Sequence, residues 1–185
     1  MDSLIENLKP LFKSIDENFE NALDILFKAH INAAKENSNA SSEIFYYSMM
    51  GSGKLINGIA SGLLSIGGPH APLADARLVL FDQDIEKTID MADSGQKISG
   101  FGNSFFKETI DPSWKEFAIY VKNNMPEQWR RISEISMHVK GGKIPVNAAG
   151  LTAAFADFYQ MEYGSETILF VLPRVTAWTS MIKFS

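Results

Sequence analysis

The stretch Phe19-Glu20-Asn21-Ala22-Leu23-Asp24-Ile25-Leu26-Phe27-Lys28-Ala29-His30-Ile31 decides the fold class. Phe19, Leu23, Leu26, Phe27 and Ile31 recur at helical spacing, which lines them along one face. The pattern extends over residues 4–35, and Pro10 marks a helix start or splits that segment in two. Residues 36–42, Glu-Asn-Ser-Asn-Ala-Ser-Ser, are a polar break offering several N-cap candidates. A long helix is expected over 43–66. Its second half holds Gly51, Gly53, Gly58, Ala60, Ser61 and Gly62. Glycine costs a helix about 1 kcal/mol relative to alanine, so close helix packing is the reason to expect. Gly67-Gly68-Pro69 ends it. A further helix is expected over 73–92, then a Gly- and Ser-containing loop over 94–112. Helices over 113–124, 126–140, 147–161 and 165–183 follow. Pro126 suits a first turn, Asn147 and Ser165 suit caps, and Pro173 is expected to kink the last helix. Neither a strand pattern nor a repeat is visible. The fold class is therefore all-α, one domain over 1–185, with N-terminal helices over 1–38 and a core over 39–185.

Composition narrows the function classes. The chain has 185 residues, 45% hydrophobic and 21% charged, with a net charge of −5. An acidic chain is poorly suited to nucleic acid, whose phosphates need a basic surface. With no cysteine, disulfides, thiolate metal sites and cysteine nucleophiles are excluded. Met1-Asp2-Ser3 lacks a basic start and no apolar run reaches about 18 residues, so neither a signal peptide nor a membrane span is expected. The expectation is a cytoplasmic protein.

Three segments carry a more specific signal. The first is Asn39-Ala40-Ser41, then a helix, then Gly67-Gly68-Pro69-His70. The second is Lys97-Ile98-Ser99-Gly100-Phe101-Gly102-Asn103, with Phe106-Lys107 and Asp111-Pro112 after it. The third is Ile144-Pro145-Val146-Asn147-Ala148-Ala149-Gly150, with Pro173-Arg174-Val175-Thr176-Ala177-Trp178 after it. In this order they resemble the signature segments of the citrate synthase and citryl-CoA lyase family. Those are Asn-Ala-Ser with Gly-Pro-x-His-Gly-Gly, Lys-Val-x-Gly-Phe-Gly-His with Asp-Pro-Arg, and Pro-x-Asn-Val-Asp with Gly-Arg-Thr-x-Gly-Trp. The resemblance covers about residues 24–182.

It implies a trimmed citrate synthase-like helical fold and a homodimer. It also implies coenzyme A, carried as an acyl-CoA substrate, with a small keto acid or dicarboxylate and no metal. The family's chemistry is a Claisen-type condensation or its reverse. An Asp removes a proton from the acyl-CoA methyl group, one His stabilises the enolate, and a second His polarises the keto group. Arginines clamp the carboxylates.

Residue by residue the transfer is uneven. His70 falls on the enolate-stabilising His. Asn103 falls on the second His and can donate a hydrogen bond but not transfer a proton. Ala149 falls on the base Asp. Asp157 mimics that Asp by eye, but it precedes Arg174 by 17 residues, whereas Ala149 precedes it by 25, as the family spacing requires. Asp157 is therefore expected to be a partly exposed helix residue. Arg174 falls on a carboxylate-binding arginine, whose planar fork suits the task. Ser113 stands where the Asp-Pro-Arg arginine would be, and the family's later arginine would lie beyond Ser185. His30 matches a substrate-binding His in one register and Glu36 does in another; a plain helix-face role stays open, as it does for His138. Gly100, Phe101 and Gly102 resemble the CoA loop, with Lys97 beside it. Lys107, Lys140 and Lys143 are further partners for CoA phosphates.

Three function classes follow from this. One is a citrate synthase-like enzyme acting on acyl-CoA. The second is a catalytically impaired relative that binds CoA or regulates a partner. The third is a helical interaction protein in which Phe45, Tyr46 and Tyr47 form a dimer face.

Overall fold

A computed structural model describes residues 2–36, 40–66, 73–103 and 106–181. Its helices are α1 (Asp2–Leu8), α2 (Phe19–Lys35), α3 (Ala40–Ser52), α4 (Leu55–Leu64), α5 (Leu73–Arg77), α6 (Ile85–Asp93), α7 (Lys115–Asn124), α8 (Pro126–His138), α9 (Ala148–Phe158) and α10 (Ile168–Ser180). Among the described residues extended pairing is limited to two isolated bridges, Phe12 with Met161 and Phe101 with Val146. The all-α expectation holds. No described helix is long and apolar enough to cross a membrane.

The central element is α9. Every residue from Ala149 to Ala156 is buried. Its run of small residues with Leu151 and Phe155 is apolar on all sides, as a helix enclosed by others must be. Around it pack α5, α7 and α8, while α10 lies along α2. Phe12, Phe19, Phe155 and Tyr159 form an aromatic cluster at one end, with Phe12 and Phe19 centroids 4.8 Å apart. Just beyond it Arg77 pairs with Glu166 at 2.6 Å, buried, and donates to the Met161 carbonyl, pinning the segment before α10 onto α5.

Several boundaries differ from the sequence pattern. Pro10 does split the first segment, sitting in a 3-10 turn, Lys9–Leu11, between α1 and α2. The expected helix over 43–66 is two helices, because Gly53 takes a left-handed φ of +64° and Lys54 is extended. The close-packing reason holds at two glycines. A Cβ on Gly58 would lie 2.8 Å from the Met49 Cβ, and one on Gly62 would lie 2.6 Å from the Trp178 ring. The expected helix over 73–92 is also broken. A π-helical turn, Leu78–Asp82, leads to extended Gln83, and Asp84 caps α6 by accepting from Glu86 N. Arg131 on α8 holds that turn through the carbonyls of Leu80 and Gln83. Pro126 opens α8 and Asn147 caps α9 as expected. Ser165 does not cap α10: the helix begins at Ile168, and Ser165 only offers its carbonyl to Ile168 N. Pro173 lies inside α10, which runs through it to Ser180.

Candidate functional site

Arg174 points from α10 into the core and is 5% exposed. Its Nη1 donates to Ser41 Oγ at 3.1 Å, and its guanidinium lies 5.5 Å from the Phe170 ring centroid. Among the described residues no Asp or Glu forms an ion pair with it. Its Nε has no hydrogen-bond partner. Burial pulls its pKa down to about 10, partly offset by the charge of Asp111. It stays cationic at neutral pH. A buried cation without an anion is costly unless a ligand supplies the anion.

His30 on α2 is fully buried next to this group. Its ring meets Trp114 edge-on at 4.5 Å and Phe170 at 4.3 Å. Phe170 thus touches both His30 and Arg174. The His30 Nε2 lies 3.2 Å from Thr152 Oγ1, whose hydroxyl donates to the Ala148 carbonyl at 2.8 Å. With its one proton committed there, Thr152 accepts from His30 Nε2–H, which assigns the tautomer. The His30 Nδ1 is then an acceptor with no partner. Burial and the Arg174 charge hold the His30 pKa well below 6.5. His30 is therefore a neutral interior group and not an exposed helix-face residue.

The Gly100–Gly102 loop meets the start of α9 back to back. Gly100 and Gly102 have left-handed φ values of +96° and +81°. A Cβ on Gly100 would sit 2.7 Å from Leu80 Cδ1, and one on Gly150 would sit 2.5 Å from the Gly100 carbonyl oxygen. Only glycine allows this approach. Gly102 N donates to the Pro145 carbonyl, and Asn147 N to the Gly100 carbonyl, both at 2.9 Å. Phe101 is buried in the core, where its backbone bridges Val146, whereas Lys97 is exposed.

Asn103, Asp111, Trp114, Asn147 and Ala148 line a depression of about 220 Å³, part of it open to solvent. Its enclosed part is only about 10 Å³, room for roughly one water molecule and far too small for a whole CoA. Trp114 links it to His30, and Asp111 links it electrostatically to Arg174. The structure thus brings Asn103, His30 and Arg174 into one region around the start of α9. His70, Asn39 and Gly67-Gly68-Pro69 lie outside the described residues.

Ala149 is buried one turn into α9, against Ala76, Ala153 and Phe170. Asp157 lies near the other end of α9, half-buried, and accepts from Gln128 Nε2 at 2.8 Å. Ser113 N donates to the capping Asp111 Oδ1 at 2.9 Å, and the Ser113 hydroxyl donates to Glu36 at 3.0 Å. His138, half-exposed on α8, bonds Asp93 at 3.0 Å. Sequence reasoning missed Thr152 as the partner of His30 and Ser41 as the partner of Arg174. A lone hydroxyl in the apolar run of α9 was the one signal that pointed to Thr152.

No family model matches the chain, and no curated protein matches it. A solved structure of citryl-CoA lyase from Hydrogenobacter thermophilus is similar, with a TM-score of 0.69 and 17% identity over 90% of this chain and 68% of that one. The chain has that citrate synthase-like helical fold.

Proposed function

We propose that this chain binds a CoA thioester together with a small carboxylate and makes or breaks a carbon–carbon bond between them. The observation that carries this reading is Arg174, a buried cation that forms no ion pair with an Asp or Glu among the described residues. In this reading Arg174 and His30 hold the carboxylate end. The Gly100–Gly102 loop, anchored in the core by Phe101, carries the CoA arm with Lys97, Asn103 donates to a carbonyl oxygen, and His70 stabilises the enolate.

Cleavage asks less of the chain than condensation. In that direction the bonding pair passes to the thioester enolate. The hydroxyl proton is lost to solvent as the keto group forms, and the enolate carbon takes a proton from water. No carbon-bound proton has to be removed, which suits a site with Ala149 where the base would stand. The second reading is a catalytically impaired CoA-binding or regulatory protein. It is favoured by the burial of Ala149 among Ala76, Ala153 and Phe170, with no carboxylate at that position. Either reading carries the expectation of a cytoplasmic homodimer. The uncharged, exposed Tyr47, Met50, Ile56 and Leu64 on α3 and α4 support the dimer.

Calorimetric titration with acetyl-CoA and with oxaloacetate tests the proposal, on the wild type and on Gly102→Trp and His70→Ala. The expected result is saturable binding, with acetyl-CoA binding weakened by Gly102→Trp. Turnover would then separate enzyme from impaired relative. No binding of either at millimolar concentration sinks both readings for this chain.

A further inference from the structure

We infer that Asn147 is a positioning residue. Its side chain ties the Gly100–Gly102 loop to the first turn of α9 and thereby fixes where Asn103 presents its amide. This rests on the reading that Asn103 meets a ligand carbonyl.

The two ends of the Asn147 side chain do separate work. Oδ1 accepts from Ala149 N at 2.9 Å and Gly150 N at 3.2 Å, which caps the helix. Nδ2 donates to the Gly102 carbonyl at 2.8 Å, across 45 residues of sequence. Capping alone does not call for asparagine, since serine and aspartate cap about as well. Joining a cap to a carbonyl does call for it. The acceptor and the donor must sit on separate atoms of one short side chain, and among the good capping residues only asparagine offers that.

The tie bears on Asn103 through the peptide plane. Peptides are planar, and none in the described chain is cis. Once the Gly102 carbonyl is held on Asn147, the direction of the Asn103 N–H and the place of its Cα are set. The Gly102 N–H is already held by Pro145. Both faces of a left-handed glycine are therefore fastened to residues 145–147. Asn103 and Asn147 then line the same depression. An untethered Gly-Phe-Gly-Asn loop would spend its glycine freedom on other conformations.

The test compares Asn147→Ser with Asn147→Ala. Serine keeps a cap but is too short to reach Gly102. Backbone amide exchange is read by NMR at Gly102, Asn103, Ala149 and Gly150, alongside oxaloacetate binding by calorimetry. In Asn147→Ser, exchange is expected to rise at Gly102 and Asn103 while Ala149 and Gly150 stay protected. The melting temperature is expected to stay near wild type, with oxaloacetate affinity reduced about tenfold. In Asn147→Ala, exchange rises at all four amides. Wild-type exchange at Gly102 and Asn103 in the serine variant overturns the inference. So does unchanged affinity despite a loosened loop. If the wild type binds no oxaloacetate, the proposed function fails on its own account. The exchange comparison then decides the tie, and an unaltered loop overturns it.

Discussion

Arg174 carries a charge into the core, where among the described residues it meets the Ser41 hydroxyl and the Phe170 ring face. In the proposed function that charge meets a ligand carboxylate, and a buried charge of this kind adds little to the stability of the fold. Arg174→Met keeps most of the side-chain volume and removes the desolvated charge. It is expected to leave the melting temperature unchanged or raised in scanning calorimetry while abolishing oxaloacetate binding. A stability loss of more than about 2 kcal/mol would show that the guanidinium is structural. His30 makes the complementary case. It is neutral in the fold, with its pKa well below 6.5, chiefly through burial and then through the Arg174 charge. The unfolded chain takes up that proton near pH 6.5 and the folded chain does not. Stability therefore falls as pH drops from about 6.5 toward the folded pKa, by up to about 1.4 kcal/mol per pH unit. Urea unfolding at pH 7 and pH 5 is expected to show a shallower pH slope in His30→Gln than in the wild type. Equal slopes would mean that His30 already carries its proton in the fold.

At the scale of elements, glycine does different work at neighbouring positions of α3 and α4. Trp178 is fully buried, stacked on Phe45 at 5.2 Å and bonded through Nε1 to Ser42, so it cannot yield to a methyl group on Gly62. Gly62→Ala is expected to cost about 1–3 kcal/mol by chemical denaturation. Gly51, where a Cβ would meet nothing within 4 Å, should gain up to about 1 kcal/mol from the same change. If the two variants behave alike, helix propensity and not packing governs the pair. The same contrast shows what could be read from the sequence. Periodicity found α2, α7, α8 and α9, because their apolar faces repeat without interruption. It ran through the breaks at Gly53 and Gln83, because a left-handed residue or one extended residue does not disturb the apolar pattern on either side. The motif order located Arg174 and the Gly100–Gly102 loop. The His30–Thr152 contact, 122 residues apart, and the Asn147–Gly102 bond, 45 residues apart, are tertiary, and local pattern names neither partner. Burial of Phe101 was equally hidden, since a loop aromatic reads the same whether it faces a ligand or the core.

For the whole molecule, assembly turns on the exposed apolar side chains of α3 and α4. Tyr47 is 72% exposed and Leu64 89% exposed. Large apolar side chains this exposed, if they meet in one patch, mark an interaction surface. Sedimentation velocity is expected to give a dimer for the wild type, and a monomer of unchanged helicity for Tyr47→Glu combined with Leu64→Glu. A wild-type monomer at micromolar concentration would remove the dimer from the proposed function.

The lengthwise contact of α10 with α2 has a consequence for the chain as it is being made. His30 and Ser41 leave the ribosome early, whereas Arg174 and Trp178 come from the last helix described. Helices emerging first must wait with an unfilled seam until α10 arrives, because their polar partners lie 133 and 136 residues downstream. Until α10 has been made the nascent chain lacks Arg174, so on the proposed reading a carboxylate ligand can steady the fold only after synthesis has passed α10.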